Sequence, residues 1–400
     1  MKKKQKNVFI IGSKGIPANY GGFESFVDKL TLYAKDKDIK YYVSCAVYSN
    51  EEYQKLEKEF TYHDALCFRI NVPNIGPGKA IIYDLKAIKY CIDYIKKNHI
   101  EKPIIYVLAC RIGPFILHYK KQLHKLGGAL YINPDGHEWL RAKWSFPVKK
   151  YWKMSEQLMV KHADLLVCDN TYIEKYIKSD YSKYNPKTTF IAYGSEISDS
   201  ILNKDDVKVI EWYDKHGVKS NKYYLVVGRF VPENNFETMI REFMKSNSKK
   251  DLVLITNVSD SFLQELKEKT NYDKDSRIKF VGTVYDQELL KYIRKHAYGY
   301  IHGHEVGGTN PSLLESLGIT KLNLLLGVNF NKEVGSKAAV YWNKEAGNLA
   351  SLIDKCDLMN KTDINKLGKL AKERIKKHYS WEYIVDRYEY IFNRFDKYLK

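Results

Sequence analysis

Strand-like and helix-like segments alternate along the whole chain, and the alternation begins a second time near its middle. Short apolar runs rich in β-branched residues, typical of buried strands, are separated by longer amphipathic stretches such as FESFVDKLTLYAKD. Because parallel strands need long crossover connections, this order predicts parallel sheets covered by helices. The predicted strands are 7–12, 41–48, 65–72, 104–109, 129–134, 165–170 and 188–194, and then 222–230, 251–257, 278–284, 298–304 and 321–327.

The restart divides the chain into two α/β domains. A single hydrophobic core stops growing at roughly 250–300 residues, and this chain has 400. We predict a first domain at 1–200 and a second at 201–375, followed by a helical tail at 376–400 that is long enough to pack on either domain. Open parallel sheets bind ligands beyond the carboxyl ends of their strands, so we expect two parallel sheets facing a central cleft, with functional residues in the loops that follow strands.

The charge of the chain favours acidic partners without choosing among them. Lys and Arg number 66 against 48 Asp and Glu, a formal charge of +18, although part of this excess lies on solvated helix faces. No apolar run approaches the ~18 residues of a membrane helix, and VFIIG is too short for a signal peptide. Six scattered cysteines without a C-x-x-C motif predict reduced core thiols of a cytosolic protein.

A glycine-rich loop, GSKGIPANYGGFESFV at 12–27, follows the first predicted strand. Its glycines, among them Gly21 and Gly22, let the backbone turn tightly, and GGFE opens a helix whose first amides suit a phosphate or an acceptor hydroxyl. It matches neither G-x-x-x-x-G-K-[ST] nor G-x-G-x-x-G. The alternative is an ordinary strand-to-helix turn.

The loop after the fifth predicted strand, NPDGHEWLRAKWS at 133–145, is dense in charged and aromatic residues. Such groups are costly to bury without a function, and aromatic rings beside hydrogen-bonding side chains suit a sugar. The alternative is a helix cap formed by Asp135. We predict that Asp135, His137 and Arg141 bind the acceptor, beside Glu138 and Lys143.

VVGRFVPENNFETMI at 226–240 places Arg229 at the end of a predicted strand. A guanidinium there can bind a diphosphate with two hydrogen bonds, and Asn234 and Asn235 are positioned as cap residues of the next helix. The alternative is a surface arginine beside a helix cap.

HEVGGTNPSLLESLG at 304–318 combines a glycine turn with the start of a helix. Asn310 is predicted as the N-cap and Pro311 as the first helical residue, which leaves the amides around Ser312 and Leu313 for an anion. Glu315, one turn further, suits the hydroxyls of a ribose. The preceding His302 and His304 are favoured as a packed histidine or a sugar contact over a zinc site, because no further ligand accompanies them.

These blocks together resemble a known family. VFIIGSKGIPANYGGFESFV, DGHEWLRAKWS, ADLLVCDNTYIEKYI, VVGRFVPENN and HEVGGTNPSLLESLG resemble, in order and spacing, the bacterial rhamnosyltransferases of the family-4 retaining glycosyltransferases. That family includes enzymes that add L-rhamnose to a lipid-linked sugar in capsule or cell-wall polysaccharide assembly. The resemblance runs from about residue 7 to the closing YSWEYIVDRYEYIF.

The resemblance implies a GT-B fold of two Rossmann-like domains, with the acceptor on the first, the nucleotide sugar on the second, and the last helix packing back on the first. It implies L-rhamnose transfer from dTDP-rhamnose onto a lipid-linked, undecaprenyl-type acceptor, without a metal or other cofactor and without nucleic acid. Arg229 would bind the diphosphate and Glu315 the ribose. The other expected donor-binding residues are Gly21, Gly22, Gly228, Asn234, Asn235, His304, Gly307, Gly308, Thr309, Asn310 and Ser312.

The chain departs from the broad family at two positions. The first of the usual paired glutamates would fall at 307, where this chain has Gly307, and Glu305 is out of register. The lysine expected five residues after the arginine is Asn234. The rhamnosyltransferase subgroup looks like this, with a deoxysugar held largely by the loop amides from Gly308 to Asn310.

Three alternatives stay open at this point. The same fold can use another donor, namely UDP-glucose, UDP-galactose or UDP-GlcNAc, or serve a sugar-nucleotide epimerase. A non-catalytic basic protein that binds polyanions is the alternative from a different class.

For the transferase we expect a cytoplasmic enzyme, peripheral at the inner face of the cell membrane, where Lys2, Lys3, Lys4 and Lys6 are attracted to anionic lipid. We also expect Arg229→Ala and Glu315→Ala to abolish turnover without unfolding the protein.

Overall fold

The computed structural model describes residues 5–18, 21–73, 76–140, 144–258, 260–306 and 309–399. These form two compact units. The first comprises the chain up to Gly194 together with the segment from Trp381 onward, and the second is Ser195–Ser380. The boundaries predicted from the sequence are at 200 and 375.

The first unit contains an eight-stranded sheet in the order β3-β4-β2-β1-β5-β6-β7-β8. All neighbouring strands are parallel except β3 and β4. Its strands are β1 (Lys6–Ile11), β2 (Ile39–Val47), β3 (Glu59–Tyr62), β4 (Ala65–Asn71), β5 (Ile104–Leu108), β6 (Ala129–Asn133), β7 (Leu165–Cys168) and β8 (Thr188–Phe190). Its helices are α1 (Gly22–Leu32), α2 (Asn50–Lys55), α3 (Lys79–Lys97), α4 (Gly113–Lys125), α5 (Phe146–His162) and α6 (Thr171–Asp180), together with the C-terminal α15, whose bounds are Trp381–Asn393.

The second unit contains a six-stranded, fully parallel sheet in the order β11-β10-β9-β12-β13-β14. Its strands are β9 (Tyr223–Val227), β10 (Asp251–Ile255), β11 (Ile278–Phe280), β12 (Gly299–His302), β13 (Asn323–Leu326) and β14 (Val340–Trp342). Its helices are α7 (Val207–His216), α8 (Phe236–Lys245), α9 (Asp260–Thr270), α10 (Gln287–Lys295), α11 (Pro311–Ile319), α12 (Asn329–Gly335), α13 (Asn348–Asp357) and α14 (Lys361–His378).

Hydrophobic periodicity explains these elements. Every residue of β5, IIYVL, is buried, as expected for a central strand covered on both faces. In α3 the residues Ala87, Cys91 and Ile95 recur every four positions and are buried in the core below the sheet. All six cysteines are buried and free. The prediction of an α/β fold with two parallel-sheet domains is confirmed.

Three features differ from the sequence analysis. The short strands β3 and β14 were not predicted, and the tail forms two helices where one was expected. Between α14 and α15 the backbone carbonyl of Tyr379 accepts a hydrogen bond from the Ser195 amide at 2.7 Å. Within the described residues, no helix is long and apolar enough to cross a membrane.

Helix α15 belongs to the first unit. It buries Trp381, Val385 and Tyr388, and the Tyr388 hydroxyl lies 3.2 Å from that of Tyr106 on β5. A Cβ at Gly194 would overlap the Trp381 ring. The last helix therefore completes the core of the N-terminal half of the chain.

The order of strands reverses once in each sheet. In the first sheet β1 and β5 are neighbours, and in the second β9 and β12 are neighbours. At such a point the loops leaving the two strands diverge to opposite faces, which opens a crevice at the carboxyl edge where ligands bind in open α/β sheets. This rule selects the loops after β1, β5, β9 and β12.

Candidate functional site

In the second unit, the loops after β9 and β12 share one edge of the sheet. Tyr300 of β12 pairs with Leu225 of β9, and the Ser312 hydroxyl donates to the carbonyl of Val227 at 3.1 Å. The start of α11 is therefore bonded directly to the end of β9. The structure brings together the two segments, around Arg229 and Asn310, that the sequence analysis assigned to one anion site.

Arg229 follows β9 and is exposed. Its carbonyl accepts a hydrogen bond from Asn234 Nδ2 at 2.7 Å, which fixes the loop next to Gly228. Among the described residues, its guanidinium has no hydrogen bond and no ion pair. A free, rigidly planar cation at the switch point of a parallel sheet can bind a phosphate through two hydrogen bonds.

The side chains of Asn234 and Asn235 connect the two loops. Asn235 is the N-cap residue of α8 as predicted, but the cap is not made by its side chain. Asn235 precedes α8 in a left-handed conformation, φ 57°, and makes no side-chain cap bond. Its Nδ2 instead donates to the Gly303 carbonyl at 2.8 Å and to Glu305 at 3.0 Å. Asn234 Oδ1 lies 2.7 Å from His304 Nδ1. Both buried amides are thus engaged in shaping the loops, because a buried amide needs internal partners.

The N-terminus of α11 has the predicted cap and Pro311 in its first turn, with one correction. Asn310 Oδ1 accepts a hydrogen bond from the Leu313 amide at 3.3 Å, so this amide is already used. The cap does not use the amide of Ser312. Thr309 is buried beside it, while Gly307 and Gly308 lie outside the described residues.

The buried side chain of Arg294 contacts both Glu315 and Ser312. Arg294 was not predicted as a site residue from the sequence. Arg294, in the last turn of α10, is 2% exposed. One of its nitrogens, Nη2, lies 2.7 Å from Glu315 Oε2 and donates to Ser312 Oγ at 3.2 Å. Glu315 itself keeps 37% of its side chain exposed. Glu315, the residue predicted to bind the ribose, is therefore partly exposed and forms an ion pair with a buried arginine.

The two histidines of this edge lie in different environments. His302 is buried, and its Nδ1 lies 3.1 Å from the Tyr300 hydroxyl, while its Nε2 has no hydrogen-bond partner in the described part of the chain. Burial, with a smaller contribution from His304, holds the pKa of His302 well below its usual value, so the ring is neutral at neutral pH. No group of three His, Cys, Asp or Glu side chains suited to a metal occurs among the described residues. Glu305, whose role was open, pairs with Lys344 as well as Asn235.

The first unit has a cavity of about 320 Å³ beyond the ends of β5 and β6. Asp135 lines it, in a left-handed conformation with φ 58°, and its amide donates to Asn133 at 2.8 Å. His137 is not in the lining; its ring packs 4.1 Å from that of Tyr176. Arg141 lies outside the described residues. The lining consists of Ala80, Ala109, Cys110, Arg111, Pro134, Asp135, Glu138, Trp139, Trp144, Trp152 and Glu156.

Three indole rings and several carboxylates give this cavity a mixed aromatic and polar wall. Trp144 donates its indole N–H to Glu138 at 2.8 Å, whereas the indole N–H of Trp152, a residue only 9% exposed, has no partner among the residues that the structure describes. Buried indole donors normally find an acceptor. A wall of this kind suits a polyhydroxylated ring, which offers apolar faces and hydroxyl groups together.

Arg111 was missed in the sequence although it follows β5 as Arg229 follows β9. Its Nη1 donates to the Gly12 carbonyl at 2.8 Å and lies 3.2 Å from Asp84. Burial raises the pKa of Asp84 to about 6, against the opposing effect of Arg111. Arg111 both lines the cavity and bonds to the loop after β1, so it connects the two. The rule that sites follow strands could have found it.

Carboxylates of α1 accept hydrogen bonds from backbone amides of the glycine loop after β1. This bears on whether the loop binds a phosphate or a hydroxyl. Glu24, 9% exposed, accepts the Lys14 amide at 2.7 Å, and a Cβ at Gly21 would overlap Glu24 Oε2. Gly21, at φ 129°, therefore needs to be glycine, while Gly22 begins α1 with open space around it. Because a carboxylate already lies at this helix N-terminus, a hydroxyl fits there better than the phosphate that the sequence also suggested.

A comparison with sequence-family models finds one match, which covers slightly less than half of the chain. A domain of unknown function, DUF1972, matches residues 5–196. No curated protein matches the chain.

Solved structures resemble the chain over nearly its whole length. Sucrose-phosphate synthase from Thermosynechococcus elongatus has a TM-score of 0.77 at 15% identity, covering 98% of this chain and 100% of that one. A glycosyltransferase from Rickettsia africae has a TM-score of 0.71 at 16% identity, covering 98% and 99%. HepE from Anabaena, in complex with UDP-glucose, has a TM-score of 0.67 at 13% identity, covering 98% and 100%.

At these identities the likeness shows the fold. The chain is an α/β protein with a GT-B fold, built from two parallel-sheet domains, as the sequence resemblance predicted.

Proposed function

We propose that this protein is a retaining glycosyltransferase that takes a sugar from a nucleotide-sugar donor. One observation carries the proposal: the exposed guanidinium of Arg229, which is unpaired among the described residues, lies at the same sheet edge as the N-terminus of α11, to which the end of β9 is hydrogen-bonded. A guanidinium and a helix N-terminus together form a site for a diphosphate. The likeness to HepE in complex with UDP-glucose supports the same assignment.

The second unit is assigned to the donor. Arg229 and the first turn of α11 bind the diphosphate, and the partly exposed carboxylate of Glu315 accepts hydrogen bonds from ribose hydroxyls. In transfer, the bond from the anomeric carbon to the leaving phosphate breaks and negative charge grows on that phosphate. Preorganised donors at this position stabilise the charge without moving. We expect no metal requirement for this step.

The first unit is assigned to a saccharide acceptor. The cavity beside Asp135 and Glu138 is lined by Trp139, Trp144 and Trp152, and stacking on indole rings suits the apolar face of a sugar. For retention, the acceptor hydroxyl attacks on the face that the phosphate leaves, and its proton passes to the departing phosphate. No protein nucleophile is needed, and we assign none.

The proposed donor is dTDP-rhamnose and the proposed acceptor a lipid-linked saccharide in the synthesis of cell-surface polysaccharide. The resemblance of the five sequence blocks to rhamnosyltransferases supports both. The absence of a glutamate at Gly307 agrees with a deoxysugar, because the missing carboxylate is one that would bind sugar hydroxyls.

Thermal unfolding with a donor panel tests this function. We expect dTDP-rhamnose at a hundred times its dissociation constant to stabilise the protein by about 2.7 kcal/mol, and UDP-glucose, UDP-galactose, UDP-GlcNAc and GDP-mannose to give smaller shifts. A larger shift with one of the others would replace rhamnose as the donor. No shift with any nucleotide sugar, combined with steeply salt-dependent binding to a polyanion, would instead favour the non-catalytic alternative.

A lipid-linked acceptor places the enzyme at a membrane surface, and the start of α5 offers the corresponding contact. Phe146, Lys150 and Met154 recur every four residues on one face, with Phe146 79% and Met154 44% exposed. The stretch 145–154 contains three lysines and no acidic residue. Aromatic and basic residues on one helix face are typical of anionic bilayer contacts.

We expect Lys149→Glu/Lys150→Glu to reduce binding to phosphatidylglycerol vesicles at least about tenfold, since each lysine near such a surface contributes on the order of 1 kcal/mol. Sedimentation with these vesicles measures the effect. The matched control is Lys376→Glu/Lys377→Glu, which changes an exposed lysine pair on α14. It should bind the vesicles more tightly than the α5 variant does. Equal losses in both variants, or equal wild-type binding to neutral vesicles, would contradict a contact at α5.

A further inference from the structure

Arg294 occupies an unusual position beneath the N-terminus of α11. Its side chain is almost fully buried, and it approaches a helix end that is itself electropositive. A guanidinium is costly to bury in such a place unless it is paired. Its partners are Glu315, at 2.7 Å, and Ser312, at 3.2 Å, which lie three residues apart on the same helix face.

The two partners are the polar side chains of α11 nearest its N-terminus, and each is fixed further. Ser312 Oγ donates to the carbonyl of Val227 and lies 3.1 Å from the Tyr300 hydroxyl. Arg294 itself is anchored through its backbone, since its carbonyl accepts a hydrogen bond from Thr320 Oγ1 at 2.9 Å. Arg294 thus connects the end of α10 to both ends of α11.

The two carboxylate oxygens of Glu315 differ in their bonding. Oε2 is paired with Arg294, whereas Oε1 has no hydrogen bond or ion pair among the described residues. The side chain is 37% exposed, so Oε1 is available to a ligand. A planar guanidinium that holds one oxygen restricts the rotation of the carboxylate, and so directs the other.

We propose that Arg294 is a positioning residue for the nucleoside of the donor: it does not contact the substrate, but it orients Glu315 so that Oε1 accepts a hydrogen bond from a ribose hydroxyl. This inference rests on the proposed function, since it assumes a nucleoside diphosphate at this edge. It predicts that Arg294 affects recognition of the ribose more than recognition of the diphosphate, which is bound by Arg229.

The test compares binding of a nucleoside diphosphate with binding of its 3′-deoxy analogue by titration calorimetry. The probe is UDP or dTDP, whichever the wild type binds more tightly. We expect the wild type to favour the 3′-hydroxyl form by about tenfold or more, as for a hydrogen bond to a charged group. In Arg294→Lys, which keeps the charge but loses the planar fork, we expect this preference to fall to about threefold or less, and inorganic pyrophosphate to bind within about twofold of wild type.

Arg277 provides the matched control in the same unit. It pairs with Asp275 at 2.6 Å and donates to three backbone carbonyls, so Arg277→Lys should lower the melting temperature and leave the ribose preference unchanged. Arg294→Gln should show the same loss of preference if the lysine variant does not fold. If a folded Arg294 variant keeps the wild-type preference for the 3′-hydroxyl form, this inference is wrong and the proposed function is unaffected. Failure of the wild type to bind either nucleoside diphosphate would overturn the proposed function, and this inference with it.

Discussion

Arg229→Ala should lower the turnover number by roughly 100- to 1,000-fold, the loss typical of removing one preorganised group that stabilises transition-state charge. Its guanidinium has no partner among the described residues, so its removal breaks no internal bond. We therefore expect the melting temperature to stay near that of the wild type, as for other surface substitutions. Steady-state transfer assays, together with thermal unfolding, measure both quantities.

Two further variants sharpen this expectation. Arg229→Lys keeps the charge but cannot form paired hydrogen bonds, so its turnover should lie between those of the wild type and the alanine variant. Arg241→Ala removes an exposed arginine of α8 that pairs with Glu237, and should leave turnover unchanged. Wild-type turnover in Arg229→Ala would remove the diphosphate site from this edge of the sheet.

Glu315→Gln should weaken donor binding by about 10- to 100-fold, because hydrogen bonds between neutral hydroxyls and a charged acceptor contribute about 1.5–3 kcal/mol. The amide keeps the size of the side chain, and its oxygen can still accept a hydrogen bond from Arg294. The dissociation constant of the nucleoside diphosphate is the quantity to measure. Donor affinity equal to that of the wild type would show that the carboxylate does not bind the donor.

Glu315→Ala should behave differently, which revises the expectation drawn from the sequence. That expectation was loss of turnover in a stably folded protein. The structure shows that the alanine variant leaves the buried Arg294 without its carboxylate, at a cost on the order of 3 kcal/mol in the free energy of unfolding. A melting temperature well below that of Glu315→Gln would confirm this difference.

The fold was predictable where the pattern is long and regular. Twelve predicted strands correspond to β1, β2, β4 to β8 and β9 to β13, because continuous apolar runs and amphipathic helices report burial directly. The strands β3 and β14 were not predicted, although β8 and β11, which were, are equally short. At the break between α14 and α15, Tyr379 is hydrogen-bonded to Ser195, which is far away in sequence, and a local pattern does not contain such a contact.

The candidate site was predictable only in part, for the same reason. Arg229 and Asn310 were found because each follows a strand in a loop with its own local signal. Asn235 is the N-cap of α8 as predicted, but the side chains of Asn234 and Asn235 bond to the β12 loop and not to the helix, a contact that the local sequence does not show. Neither Arg111 nor Arg294 belongs to a motif. Arg111 has one signal in the sequence, its place directly after β5, whereas Arg294 is identified only by the partners that folding brings to it.

The order of apolar and polar residues along the chain by itself determined two parallel α/β domains and the N-cap of α11, because hydrophobic periodicity and capping act over a few neighbouring residues. Which loops meet was decided by the tertiary structure. Because β9 pairs with β12, Arg229 lies at the same sheet edge as α11, and the packing of α10 brings Arg294 into contact with Glu315. Such pairings depend on strand order and on burial of charges at long sequence separation, and a linear pattern does not contain them.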